Sequence, residues 1–159
     1  YKVGYPLAKL ICKIKGEDKP AKLLKSLAVG GYSKSIKHRK TDADWLSYND
    51  ESNEKFIKDP YCGYASSNGF YRELLKGNAR LYKKKFLKKI NPDLKILLIA
   101  GEDDPVGALG KGPRKLFKTY KDLGIKNVDL IVYEKMRHEI LNEKNRQKVF
   151  DDILEFINK

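Results

Sequence analysis

The side chains best suited to chemistry lie in two short stretches, Gly101-Glu-Asp-Asp-Pro-Val-Gly107 and Met136-Arg-His-Glu-Ile-Leu-Asn-Glu143. The first offers Asp103 and Asp104; the second offers His138 with Glu139 and Glu143. A carboxylate beside an imidazole makes a general base. It accepts the Nδ1 proton, fixes the tautomer, and stabilises the imidazolium that forms when Nε2 takes a proton. Taken singly, the two aspartates would read as turn residues and His138 as a loop histidine. The elements that precede them change that reading.

Each stretch follows a strand pattern. Lys95-Ile-Leu-Leu-Ile-Ala100 is a continuous apolar run between Pro92 and Gly101, as expected of a strand covered on both faces in a parallel sheet. Val128-Asp-Leu-Ile-Val-Tyr133 is a second strand. Between them, Leu116, Phe117, Tyr120 and Leu123 fall at helical spacing over residues 113–123, with Gly124 as a stop. A last helix is expected after an Asn142 cap, with Val149, Phe150, Ile153, Leu154 and Ile157 as its stripe. Strand, helix, strand, helix implies a βαβ crossover and two adjacent parallel strands. Such strands lie about 4.8 Å apart and end on one edge, so a carboxylate of the first loop can reach the imidazole of the second. Open α/β sheets also bind their ligands at that edge.

Residues 1–90 carry no comparable strand pattern. Helices are expected over 8–14 and 22–29, broken by Gly16 and by the Gly30-Gly31 pair, and again over 52–57 and 70–90. Residues 33–53 are polar, with Trp45 and Leu46 as anchors. The expected organisation is a helical region, 1–90, followed by an α/β region, 91–159. Two parallel strands do not make a stable sheet alone, so further strands are expected from polypeptide upstream. The start at Tyr1, with Met136 as the sole methionine, points the same way.

The chain has 159 residues, 41% hydrophobic and 35% charged, enough to bury a core. No apolar run reaches the roughly 18 residues of a membrane span, and no signal peptide opens the chain. Cys12 and Cys62 are too few for a disulfide framework, which favours a reducing, cytoplasmic setting. The net charge is +13, with 34 Lys+Arg against 21 Asp+Glu. Residues 1–90 hold +12 of it, densest at Lys83, Lys84, Lys85, Lys88 and Lys89. An anionic membrane surface is a candidate partner. Nucleic acid is disfavoured: only six of the cations are arginines, and no reader motif is present.

Leu97-Leu-Ile-Ala-Gly-Glu-Asp-Asp-Pro-Val-Gly107, Val128-Asp-Leu-Ile-Val-Tyr133 and Arg137-His-Glu-Ile-Leu-Asn-Glu143 together resemble the C-terminal part of α/β-hydrolases. The nearest type is the monoacylglycerol lipase and lysophospholipase group, with its serine-aminopeptidase-like members. The resemblance reaches upstream through Asp44-Trp-Leu-Ser47 and Asp59-Pro-Tyr-Cys-Gly63, in what that family uses as a cap over the active site. It implies an α/β-hydrolase sheet with a helical cap, a Ser-His-Asp triad and hydrolysis of a carboxylic ester such as a monoacylglycerol or lysophospholipid. It implies no metal and no organic cofactor. By position, Asp104 matches the triad acid, three residues after Gly101, and His138 the triad base; Asp103 does not match. Glu139 and Glu143 are expected to serve the loop and the first turn of the last helix, where the dipole favours a carboxylate.

The family's Gly-x-Ser-x-Gly elbow is missing from the chain, as is the loop that forms its oxyanion hole. Gly63-Tyr-Ala-Ser-Ser-Asn-Gly69 has the wrong spacing and follows no apolar strand. The nucleophile is therefore expected upstream, and the isolated chain is expected to be inactive. Cys62 is expected to be structural, His38 exposed and inert, and Trp45 a packing anchor of the cap. Gly107-Ala-Leu-Gly-Lys-Gly112 is expected to be a flexible turn, because it lacks a Walker ending. Two alternatives stand beside the lipase reading: a peptidase or small-molecule esterase of the same fold, and a non-enzymatic basic binding module.

Overall fold

The computed structural model describes residues 3–81 and 83–159. They form two compact units, Tyr1–Gly31 with Gly63–Ile90, and Tyr32–Cys62 with Asn91–Lys159. Compactness thus groups residues 32–62 with the C-terminal strands, whereas the sequence pattern drew a single break at residue 90.

The first unit is helical. α1 (Gly4–Lys15) packs on α4 (Asn68–Leu81), and the first turns of α2 (Lys22–Ser35) complete the core. Ala8, Ile11, Ala21, Leu24 and Tyr71 form that core, with Leu75 against it. Gly16 ends α1 at φ 89°, a left-handed conformation open to glycine, and its N–H bonds the Cys12 carbonyl at 3.0 Å. Asn68 Nδ2 bonds the Gly16 carbonyl at 2.8 Å, and Ala21 N bonds Ser66 O at 2.9 Å, fastening the α1–α2 turn to the start of α4. The serines of the 63–69 stretch therefore serve a turn and a helix start: Ser67 Oγ accepts the Phe70 N–H.

Two expectations fail here. α2 runs through Gly30 and Gly31 to Ser35, because helix-interior glycine weakens a helix by about 1 kcal/mol without breaking it. The helix expected over 70–90 instead ends at Leu81, and a four-residue α5 (Lys84–Leu87) follows. Position 82 lies outside the described residues. In a continuous helix Lys84 with Lys88 and Lys85 with Lys89 would be like-charge pairs four residues apart, which repel.

The second unit holds α3 (Asp50–Lys58), β1 (Ile96–Gly101), α6 (Lys111–Asp122), β2 (Val128–Tyr133) and α7 (Arg146–Asn158). β1 and β2 pair in parallel, in register from Ile96 with Val128 to Gly101 with Tyr133. Both strands therefore end at the same level. Tyr133, Met136, Ile140 and Val149 form the core, with Ile99, Ile131 and Ile153 packed against it. Of the α7 stripe, only Val149 and Ile153 meet this core; Phe150, Leu154 and Ile157 are exposed. The residues of β1 before Gly101 are half-buried, not covered on both faces as its apolar run predicts. Among the described residues the sheet has only these two strands. Asn142 does not cap the last helix. It ends a short 3-10 turn (Ile140–Asn142), and α7 begins four residues later, after Asn145.

Candidate active site

The equal strand ends bring the two loops into contact. Glu102 N bonds Tyr133 O at 2.8 Å, and Asp103 N bonds Met136 O at 3.0 Å. Gly101 makes this approach possible: a Cβ there would lie 2.2 Å from Arg137 O and 2.3 Å from Met136 O. This glycine is demanded by closeness, not by a positive φ.

Across this junction, His138 Nδ1 meets Asp104 Oδ2 at 3.2 Å. The other carboxylate oxygen, Oδ1, accepts the Val106 N–H at 2.8 Å, which fixes the carboxylate plane. The turn beyond is a defined left-handed one rather than a flexible glycine run. Ala108, Leu109 and Gly110 all have φ between 53° and 73°, and Leu109 N bonds Asp104 O at 2.9 Å. The Asp104 side chain is 10% exposed and that of His138 39%. The hydrogen bond to Asp104 is the largest influence on the imidazole and holds its pKa above the ordinary 6.5, against the opposing pull of burial. With Nδ1 engaged, Nε2 is the nitrogen left to take a proton.

Asp103 is turned to a different partner. Its Oδ2 accepts the Tyr48 hydroxyl at 2.9 Å, and Tyr48 sits under the Arg137 guanidinium, 3.8 Å from the ring centroid. Residues 44–48 thus wrap the loops. Glu139 N bonds Leu46 O at 2.7 Å, and Arg137 Nη1 donates to the carbonyls of Asp44 and Ser47. Trp45 lies between Tyr32 and His138, with ring centroids 5.5 and 5.2 Å away.

Glu143 departs most from expectation. It lies before α7, not in its first turn, and is 2% exposed. Its carboxylate accepts Arg137 N at 2.8 Å and Tyr48 N at 3.0 Å, clamping residues 44–48 to the His138 loop. A lone glutamate five residues after a histidine gives no sequence signal of this. The sequence likewise gives no signal that Tyr48 and Arg137 are its partners, although Tyr48 directly follows Asp44-Trp-Leu-Ser47.

His38 is exposed at φ 54° and has no part in the cluster. Cys62 is half-buried, and burial, then Asp59, pushes its thiol up, away from a nucleophile's requirement. Among the described residues, no three His, Cys, Asp or Glu side chains group as a metal site. None of the helices among them is long and apolar enough to cross a membrane.

Two parallel strands whose level ends bring an aspartate and a histidine together fit the α/β-hydrolase fold, which the family and structural matches show. Residues 5–145 match the family described as serine aminopeptidase, S33, and the chain belongs to that family. Among solved structures it resembles a thermostable carboxyl esterase from Bacillus coagulans, at 25% identity and TM-score 0.84, covering 97% of this chain and 50% of that one. An open-form lipase matches at 23% identity and TM-score 0.86 over the same shares, 97% and 50%. A monoacylglycerol lipase from Paleococcus ferrophilus matches at 19% identity and TM-score 0.64, covering 96% of this chain and 50% of that one. The chain spans about half the length of these structures. No curated protein matches it.

Proposed function

We propose that this chain supplies the acid, the base and the cap of a serine ester hydrolase. The observation that carries the proposal is the 3.2 Å contact between His138 Nδ1 and Asp104 Oδ2 at the matched ends of neighbouring parallel strands. In the proposed reaction a serine hydroxyl, carried on polypeptide preceding these residues, attacks the ester carbonyl carbon. Its proton passes to His138 Nε2, while Asp104 holds the imidazole and stabilises its cationic form. The imidazolium then protonates the departing alcohol. Water, deprotonated by the same nitrogen, cleaves the acyl-enzyme to the free acid.

The finer proposal is a monoacylglycerol or lysophospholipid substrate, with residues 1–90 as the cap and a cytoplasmic location. Charge supports an anionic lipid surface as the place where substrate is met. The unit of residues 1–31 and 63–90 holds 15 Lys+Arg against 3 Asp+Glu, and α1 exposes Leu10 and Ile14 among its lysines, with Val3 exposed just before it. A peptidase or small-ester preference is the competing outcome. The experiment compares long- and short-chain esters with peptide amides, using a polypeptide in which these residues follow their upstream segment. Ester hydrolysis lost in both His138→Gln and Asp104→Asn is expected; full activity in His138→Gln would overturn the proposal. The isolated 159 residues should show negligible turnover, and His138-dependent turnover from them would place the nucleophile inside this chain.

A further inference from the structure

The imidazole of His138 has a second neighbour whose position is fixed from several sides. The Trp45 indole stands against it, with ring centroids 5.2 Å apart and planes at 37°, and Tyr32 packs on the indole in turn. Trp45 is not a loose side chain on a mobile strap. Just before it, the Asp44 carboxylate accepts Lys40 N at 2.6 Å and Thr41 N at 3.2 Å. Just after it, Leu46 O accepts the Glu139 N–H, and the Tyr48 N–H is held by Glu143. The residues that flank His138 in sequence, Arg137 and Glu139, are thus those that anchor the indole.

One hydrogen bond at Nδ1 leaves an imidazole free to rock about χ2, a torsion with broad wells. A wall on one ring face removes that freedom. We propose that Trp45 is a positioning residue for His138: it holds the imidazole in the orientation in which Nδ1 meets Asp104, and its emission reports whether His138 is protonated. This rests on the reading of His138 as the base, and the indole itself exchanges no proton. The charged groups around the ring are Asp104 and Glu139, with Arg137 adjacent in sequence; Asp103 is engaged by the Tyr48 hydroxyl and Glu143 by backbone N–H groups.

Trp45 is the only tryptophan in the chain, so the test is direct. A protonated imidazole in contact with an excited indole accepts an electron and quenches it; the neutral ring does not. The difference emission, wild type minus Trp45→Phe, is recorded from pH 5.5 to 9. It should rise in one transition centred above 6.5, vanish in His138→Gln, persist in His38→Gln and move to lower pH in Asp104→Asn. A flat profile in the wild type, or a transition surviving in His138→Gln, overturns the proposal. In the hydrolytically active polypeptide, Trp45→Leu should lower kcat at least about tenfold with KM nearly unchanged, and Trp45→Phe should restore most of it. A KM that rises with acyl length at constant kcat would make Trp45 a substrate wall and overturn the positioning role. If His138→Gln leaves hydrolysis intact but abolishes the emission transition seen in the wild type, the hydrolase reading fails and the contact with Trp45 does not.

Discussion

Gly101→Ala tests whether the loop junction builds the Asp104–His138 pair. The added methyl would lie 2.2 Å from Arg137 O, and contacts under 3.0 Å are essentially never tolerated, so the loops must part by at least about 0.8 Å. That displacement stretches the Asp103 N–Met136 O bond from 3.0 Å to nearly 4 Å, beyond hydrogen-bonding range, and strains Glu102 N–Tyr133 O beside it. Losing one or both, with the strain of the shift, costs about 2–4 kcal/mol. The same motion carries His138 Nδ1 from 3.2 Å to about 4 Å from Asp104, and the imidazole pKa should fall back towards 6.5. Because the folded-state value is raised, the pair contributes stability that is fully present below pH 6.5 and is lost as pH rises through the raised value. The variant should therefore lose more stability at pH 5.5 than at pH 9. Urea unfolding at both pH values, with an NMR titration of the His138 ring proton, measures each quantity. Destabilisation below about 0.5 kcal/mol with an unshifted imidazole would refute the reasoning.

Glu143→Ala should cost about 2–4 kcal/mol in urea unfolding, since it strands the Arg137 and Tyr48 N–H groups in a site 2% exposed. Glu143→Gln keeps an acceptor oxygen and should cost about half as much or less. Gly31→Ala should stabilise by about 0.5–1 kcal/mol, visible as a higher thermal midpoint, because α2 runs through this position and nothing lies within 4 Å of the added Cβ. Reversing Lys84, Lys85, Lys88 and Lys89 to Glu should weaken sedimentation with anionic vesicles and flatten its salt dependence, with neutral vesicles unaffected; unchanged binding would remove that cluster from the proposed lipid surface.

The parts legible in the sequence share a physical trait: they depend on patterns local to one segment. The strand over residues 128–133 is a short apolar run interrupted only by the exposed Asp129 and ended by a charged turn, and the structure forms it with those bounds. Parallel pairing follows from the helix between the strands, and from it comes the meeting of Asp104 with His138. What escaped depends on distant backbone atoms. Glu143 reads as a helix-start residue because acidic side chains favour that place, yet it is consumed by N–H groups at 48 and 137. Trp45 reads as an anchor, and only the folded chain shows that one of the rings it anchors is the imidazole. The break expected at Gly30-Gly31 failed for the opposite reason, a local preference overridden by the turns on either side.

The distribution of charge bears on the two roles proposed for this chain. Of the net +13, the unit holding residues 1–31 and 63–90 carries +12, whereas the unit that contains Asp104, His138 and Trp45 has 19 Lys+Arg against 18 Asp+Glu. A general base works best with its titration set by one chosen carboxylate, and a field of unpaired lysines around it would push its proton off at lower pH. Cations that meet an anionic surface have the reverse requirement, a large unpaired excess. Interleaving both along one segment would make every lysine a compromise between them. On the proposed roles, charge reversal at residues 84–89 should change surface binding while leaving the Trp45 emission transition where it was.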